Sequence, residues 1–137
     1  MKRTLIAFVL CASAIHAADR PIKLGTIAPR DSTYHKILLR MGESWRANGV
    51  ELKIYPGGVL GGEAEMVRRM KTGALDAAML TVAGLSDIDD SVRALQNMPL
   101  VFRSLDEVEY IGEKLRPRLE KDLRTRGFVV LFWGDAG

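Results

Sequence analysis

The sequence has almost no cysteine, because Cys11 is the only one among 137 residues. Cys11 lies in an apolar N-terminal stretch that we expect to be removed, so the rest of the chain offers no disulfide, no thiol and no cysteine metal site. Histidine is equally scarce, since His35 is the only one beyond that stretch. A multi-histidine zinc site and the H-E-x-x-H motif of metalloproteases are therefore excluded.

The sequence also lacks an apolar run long enough to span a membrane. It opens with two basic residues, continues with the apolar run Leu5–Ile15 and then reaches the small residues Ala17 and Ala18. This pattern is typical of a secretory signal peptide, whereas a transmembrane helix needs about 20 residues. A membrane anchor is the alternative. We predict a signal peptide over residues 1–18, a periplasmic location and no membrane insertion after cleavage.

A strong excess of one charge is missing as well. The full sequence carries 20 basic and 17 acidic side chains. Loss of Lys2 and Arg3 with the signal peptide leaves 18 basic side chains against the same 17 acidic ones, a net charge of +1. A nucleic-acid partner would require a strongly basic domain or a basic stripe, so none is predicted. Residues 19–137 are enough for one domain and too few for two.

The sequence does contain an alternation of strand-like and helix-like segments. Strands are predicted at Ile22–Ala28, Val50–Tyr55, Leu75–Thr81 and Phe128–Trp133, and helices at about Ser32–Ala47, Glu63–Thr72 and Ser104–Arg126. This alternation predicts an α/β fold with a parallel sheet. The second strand alternates apolar and polar residues and is expected towards an edge, whereas the last is a continuous apolar run typical of a strand covered on both faces. Residues 82–101 are predicted to be irregular.

Local signals mark the helix ends. Asp31 or Ser32 can cap the first helix, and Ser104 opens the last one with a capping box. Gly127 is expected to end the last helix. Pro117 inside it removes one backbone hydrogen bond, so a kink is expected just before that residue.

A glycine-rich turn is the most distinctive local feature. Tyr55–Asp76 combines the end of a strand, glycines at 57, 58, 61 and 62, and a short amphipathic helix. Such a turn can expose backbone N–H groups at a helix N-terminus, which suits a polar ligand. Nucleotide phosphate is not expected, because Glu63 and Ala64 stand where a P-loop needs Lys and Ser/Thr. A tight connection without a ligand role is the alternative.

The predicted topology gives this turn a place in the molecule. Ligands of parallel α/β sheets bind beyond the carboxyl ends of the strands. The predicted ends are Ile27–Ala28, Tyr55–Glu63, Thr81–Ala83 and Trp133–Asp135. The glycine-rich turn is therefore expected at the ligand-binding edge of the sheet.

Catalytic chemistry is not indicated. Asp31, Ser32 and His35 are close in sequence and allow a hydrolase remnant as an alternative, but Ser32 is explained as a helix cap and no G-x-S-x-G motif exists. Glu63 and Glu65 are two apart on a helix and point to different sides, so they do not form an acid/base pair. We predict no enzyme.

An acidic cluster lies between the third strand and the last helix. Asp87, Asp89 and Asp90 could suggest calcium, but the spacing and closing Glu of an EF-hand loop are missing. A solvated turn is the preferred interpretation, and no metal or cofactor is predicted.

Four segments, taken in order, resemble the N-terminal domain of TRAP-transporter solute-binding proteins. They are Leu24–Pro29, the L-G-G-E-x-E of Leu60–Glu65 with the x-G-x-L-D of Thr72–Asp76, Asn97–Phe102, and the apolar strand that ends at Trp133-Gly134. The resemblance covers about residues 22–137. It implies a periplasmic-binding-protein-like domain, the first of two in a clamshell, followed by the start of the hinge.

The resemblance also implies a function and a site. Family members are extracytoplasmic receptors that bind a small organic acid between two domains and deliver it to membrane permease subunits, without a cofactor. Motif by motif, the implied ligand-binding residues are Ile27, Ala28, Gly62, Glu63, Thr81, Val82, Trp133 and Asp135. Ile27 offers no hydrogen bond and Thr81 only a hydroxyl group, which favours a smaller or more apolar carboxylate over a heavily hydroxylated sugar acid.

One family feature has no counterpart in the sequence. The arginine that pairs with the ligand carboxylate lies in the second domain, and Gly137 is reached before that domain begins. We therefore expect a fragment, a truncated product, or an arginine supplied by another chain. A small secreted hydrolase or transferase and a ligand-sensing module of the same fold are the alternative functions.

Overall fold

The computed structural model describes residues 20–95 and 104–134. Three strands within them form a parallel sheet with the order β2-β1-β3. Their bounds are Ile22–Thr26 for β1, Leu52–Tyr55 for β2 and Ala77–Met79 for β3. Leu24 at the centre of β1 pairs with Ile54 on one side and Ala77 on the other. The predicted parallel α/β sheet is confirmed, with β2 at an edge as expected.

Helices connect and extend the sheet. Their bounds are Thr33–Arg46 for α1, Glu63–Lys71 for α2, Val82–Ser86 for α3 and Leu105–Thr125 for α4, with a 3₁₀ helix at Asp90–Leu95. The prediction that residues 82–101 are irregular is wrong for α3 and the 3₁₀ helix, because turns this short show no apolar periodicity. The segment 97–102 that resembles the family lies outside the described residues. Among the helices that the structure describes, none is long and apolar enough to cross a bilayer.

The helix caps follow the local signals. The Ser32 side chain accepts a hydrogen bond from the backbone N–H of His35, and that of Ser104 accepts one from Glu107. Gly127 follows α4 with a φ of 88°, a conformation that suits glycine. The helix assignment of α4 runs through Pro117, and the expected kink stays a prediction.

The first core lies between α1 and the sheet. Leu24, Leu38 and Leu52 are its buried members. The three- and four-residue spacing of Ile37, Leu38, Met41 and Trp45 predicts that they share one apolar face of α1. Leu38 is buried, but the prediction is wrong at Ile37, which is 44% exposed. One residue is about 100° around a helix, so turning Leu38 to the sheet turns Ile37 away from it.

A second core lies under the C-terminal half of α4. Its buried members are Val92, Leu119 and Leu123, and Trp133 packs against them. The spacing of apolar residues in α4 predicts one face that includes Val108, Leu115, Leu119 and Leu123. The last three belong to this cluster, whereas Val108, nearer the N-terminus of the helix, is 45% exposed. The second core joins α4 to the segment that the sequence predicts to be irregular.

The prediction of a strand at Phe128–Trp133 is wrong. No strand is assigned to residues 128–134, and Val129 and Leu131 are each 64% exposed. A central parallel strand needs hydrogen-bonded neighbours and cover on both faces. Within the described part of the chain, β3 pairs with β1 alone. Val130 and Trp133 pack instead on the second core.

Candidate ligand-binding site

The carboxyl ends of the three strands bring three turns to one edge of the sheet. β1 leads into residues 27–29, β2 into the glycine-rich residues 56–62 and β3 into residues 80–82. We call these three turns the lip. Strands that run parallel end at the same edge, so the lip is the position at which ligands of such sheets bind.

The glycine-rich turn is fastened to the end of β1. Gly57 donates its N–H to the Ala28 carbonyl at 2.8 Å, and Gly58 donates to the Thr26 carbonyl at 3.0 Å. Gly61 donates to the Gly58 carbonyl at 2.8 Å. Gly57, Gly58 and Gly61 have φ values of 69°, 69° and 101°, which favour glycine. The expectation that this turn exposes N–H groups is wrong for these three glycines, because their N–H groups donate hydrogen bonds to carbonyl groups of the lip and of β1.

The two glutamates of the first turn of α2 have different partners. Gly62 is the N-cap and contributes no side-chain hydrogen bond. Glu65 lies 2.7 Å from the Arg68 guanidinium and 2.9 Å from that of Arg69. The hydrogen bond from Arg68 is the largest cause that lowers the pKa of Glu65. Glu63 instead reaches α3, so the prediction that the two glutamates point to different sides is confirmed.

Glu63 and Thr81, 18 residues apart, are joined by two hydrogen bonds. Glu63 Oε1 accepts from the Thr81 backbone N–H at 2.5 Å, and Oε2 accepts from the Thr81 hydroxyl group at 2.7 Å. Thr81 Oγ1 also accepts from the Ala83 N–H at 3.2 Å, which caps α3. Both oxygens of the carboxylate and the hydroxyl group of Thr81 therefore have protein partners.

The first turn of the lip presents an apolar side chain. Ile27 is 43% exposed, whereas Ala28 is buried. The Ala28 N–H donates to the hydroxyl oxygen of Thr26, which is itself buried, at 3.0 Å. Val82 is half-buried and packs on the second core. Ile27 is thus the exposed apolar contact that this turn offers.

The fourth predicted strand end, Trp133–Asp135, does not follow a strand, and its Trp133 contacts α4. The Trp133 indole N–H donates to Glu120 Oε1 of α4 at 2.7 Å, and the ring packs on the second core. Asp135 lies outside the described residues. The structure therefore places Trp133 against α4, and its part in ligand binding stays a prediction.

The Asp31, Ser32 and His35 group has the contacts of a helix start. The Ser32 side chain accepts the His35 N–H at 3.3 Å, and the backbone N–H of Asp31 donates to His35 Nδ1 at 3.0 Å. His35 is buried, with 5% of its surface exposed. These bonds occupy the serine oxygen and one imidazole nitrogen with backbone groups, as in a cap and not as in a nucleophile–base pair.

The acidic cluster is engaged by cationic and backbone partners. Asp89 accepts the N–H of Ser91 at 2.9 Å and lies 3.4 Å from the Arg126 guanidinium. The hydrogen bonds from Ser91 lower the pKa of Asp89 more than the nearby arginine does. Asp90 pairs with Arg93 at 3.4 Å. In the parts of the chain that the structure describes, no group of three His, Cys, Asp or Glu side chains could hold a metal ion.

A parallel α/β domain with such a lip at its carboxyl edge is typical of solute-binding proteins. The model of the family described as bacterial extracellular solute-binding protein, family 7, matches residues 24–137. The chain belongs to this family. The resemblance seen in the sequence is thereby confirmed.

Curated relatives are longer than the chain. It is 25% identical to a solute-binding protein of Roseobacter denitrificans over 126 residues, which are 85% of the chain and 38% of that protein. It is 28% identical to a solute-binding protein of Chromohalobacter salexigens over 89 residues, 64% of the chain and 26% of the relative. The chain thus spans well under half of the length of each of these two relatives.

Solved structures share the fold. A TRAP periplasmic solute-binding protein of Citrobacter koseri with bound D-glucuronate is 27% identical, with a TM-score of 0.74 over 86% of the chain and 41% of that protein. A second such protein, from Pseudomonas putida F1 and also with bound D-glucuronate, is 27% identical. Its TM-score is 0.73 over 86% of the chain and 40% of that protein. A galacturonate-bound protein from Sulfitobacter has a TM-score of 0.75 over 86% of the chain and 40% of that protein. Because it is only 20% identical, it supports the fold alone.

Proposed function

We propose that the chain supplies the first domain of the solute-binding component of a TRAP-type transporter. In this role it binds a small organic acid outside the cytoplasm and, with a second domain closed over the ligand, delivers it to membrane permease subunits. The observation that carries the proposal is the gathering of three turns at the carboxyl edge of a parallel sheet in a member of this family. Domain closure of this kind is a common way for binding proteins to signal occupancy.

The proposal places the ligand against the lip. Residues 27–28, 62–63 and 81–82 lie on its three turns, while Trp133 and Asp135 would approach from the hinge. Homologues of 27% identity that hold D-glucuronate make a hexuronate the first ligand to test. The exposed Ile27 side chain suits the C–H face of a sugar ring and also the smaller or more apolar carboxylate that the sequence favours.

A titration followed by nuclear magnetic resonance tests the proposal. The ¹⁵N-labelled chain is titrated with D-glucuronate, D-galacturonate and succinate, and amide shifts are mapped on the sequence. We expect the acid that is bound to shift amides of residues 27–28, 57–63 and 81–83, because these surround the lip. D-Glucitol, which has no carboxylate, is the control. Shifts confined to other parts of the molecule, or none with any acid, would show that the lip is not the binding surface.

A further inference from the structure

We propose that Glu63 is a positioning residue that fastens α2 to α3 and so holds the third turn of the lip in place. The significance of the lip rests on the proposed function, whereas the fastening is a property of the fold alone. The inference rests on three observations: the hydrogen bonds between Glu63 and Thr81, the lack of room for a side chain at Gly84, and the hydrogen bonds between the other two turns.

Two hydrogen bonds join the Glu63 carboxylate to Thr81, and we call this pair of bonds the clasp. One carboxylate oxygen takes the backbone N–H of Thr81 and the other takes its hydroxyl proton, at 2.5 and 2.7 Å. Hydrogen bonds to a carboxylate are stronger than those between neutral groups. Because Thr81 is also the N-cap of α3, the clasp acts on the residue that sets the start of that helix.

Gly84 supplies independent evidence that α2 and α3 are built to approach closely. A Cβ at residue 84 would lie 2.8 Å from the Glu63 Cβ and 3.1 Å from Leu80 Cδ2. At the opposite ends of the two helices, Lys71 Nζ donates to the Asp87 carbonyl at 3.3 Å. The absence of a side chain at residue 84 therefore allows the backbone of α3 to come within reach of the Glu63 carboxylate.

The clasp completes a hydrogen-bonded unit of three turns. Gly57 and Gly58 already fasten the second turn to the first through the carbonyls of Ala28 and Thr26. Glu63, directly after the second turn, fastens it to the third at Thr81. Glu63 and the Thr81 hydroxyl group then shape the lip by bonding to each other, while each Glu63 oxygen, with one hydrogen bond to Thr81, keeps a further lone pair.

The first test compares two variants of the same helix turn. Glu63→Ala and Glu65→Ala each remove one first-turn carboxylate from α2, but only Glu63→Ala removes the acceptors of Thr81. In Glu63→Ala we expect the Thr81 amide proton to move upfield and its hydrogen-exchange protection to fall about tenfold or more, as for a lost bond to a charged group. In Glu65→Ala the Thr81 amide should be unchanged. An unchanged Thr81 amide in Glu63→Ala, or equal changes in both variants, would overturn the proposal.

Variants of Thr81 keep the test decisive if Glu63→Ala fails to fold. Thr81→Ser retains the hydroxyl group and should keep the exchange protection of the residue-81 amide, while Thr81→Val should lose part of it. Glu63→Gln and Thr81→Val should show non-additive effects on unfolding, whereas Glu65→Gln and Thr81→Val should be additive. Additivity of the first pair, or equal behaviour of the serine and valine variants, contradicts the clasp.

A ligand titration separates this inference from the proposed function. If D-glucuronate shifts the lip amides of the unmodified chain, the same titration of Glu63→Ala should show several-fold weaker binding, and Glu65→Ala should bind as the unmodified chain does. Equal affinity in both variants would overturn the positioning role. If no acid binds any of them, the proposed function fails, while the Thr81 amide still decides whether the clasp exists.

Discussion

Gly84 and Gly112 are both helical glycines, but their surroundings differ. A Cβ at residue 84 would meet the Glu63 Cβ at 2.8 Å, closer than two such carbons can pack. Among the residues that the structure describes, none comes within 4 Å of a Cβ placed at residue 112 in α4. The same substitution therefore has opposite consequences at the two positions.

We predict that Gly84→Ala lowers the free energy of unfolding by about 1–3 kcal/mol, because the added methyl group forces α3 away from α2. Gly112→Ala is the matched control and should raise it by about 0.5–1 kcal/mol, since alanine is the better helix former where there is room. Urea denaturation of both variants measures the two effects. A neutral or stabilising Gly84→Ala would show that the approach of α2 and α3 is looser than the structure indicates.

Features that depend on a few neighbouring residues could be predicted one residue at a time. Ser32 and Ser104 were expected to cap helices and do so, because a cap needs only its own side chain and an N–H three residues later. The predicted face of α1 is wrong at Ile37, since the rotation of α1 on the sheet is decided by what Leu38 packs against.

At the scale of elements, Asp76 joins the starts of β1 and β3. Its carboxylate accepts the Lys23 backbone N–H at 2.9 Å and an Arg20 guanidinium N–H at 2.6 Å. The hydrogen bond from Lys23 is the largest cause that lowers the pKa of Asp76, and Arg20 lowers it further. A carboxyl group with a lowered pKa in the folded state binds a proton more readily when the chain is unfolded, so folding is favoured where the group is ionised.

We predict that the free energy of unfolding falls as the pH drops below about 4, near the ordinary pKa of an aspartate, and that Asp76→Asn makes this fall shallower. Asp89 also has a lowered pKa and contributes in the same direction, so part of the slope should remain. Asp90→Asn is the control, because that side chain is 83% exposed. Urea denaturation at a series of pH values measures the slopes. Equal slopes for Asp76→Asn and the unmodified chain would contradict the linkage.

Elements were predictable to the extent that they repeat a pattern. The strands β1 to β3 and the helices α1, α2 and α4 were all expected from periodicity and turn signals. The helix α3 spans only Val82–Ser86 and owes its start to Thr81 and its packing to Gly84, neither of which forms a periodic signal. The run Phe128–Trp133 has the composition of a strand, but composition supplies no hydrogen-bonding neighbour.

At the scale of the whole molecule, the chain covers about two fifths of the solved relatives that it matches. A ligand pocket normally buries about 70–90% of the surface of a small ligand, and such pockets often lie between two domains. The lip is an open edge with its polar groups largely engaged by one another. One wall of this kind gives few contacts to offset the entropy lost on binding.

We predict that the 137-residue chain binds no organic acid tightly, although weak binding at the lip is expected. Isothermal titration calorimetry with D-glucuronate, D-galacturonate and succinate measures this. The D-glucuronate-binding homologue of Citrobacter koseri serves as the positive control under the same conditions. Micromolar affinity in the 137-residue chain would contradict the prediction and show that the lip alone makes a sufficient site.

The sequence by itself determined the parallel α/β class, the edge at which the lip lies and the family. Periodicity, caps and glycine positions act over a few residues, and parallel strands necessarily end together. Only the tertiary structure decided that Glu63 bonds to Thr81, that Gly84 makes room for this contact and that the glycine N–H groups bond to the end of β1. These contacts join residues up to 32 positions apart, from Thr26 to Gly58, and they depend on how the elements pack.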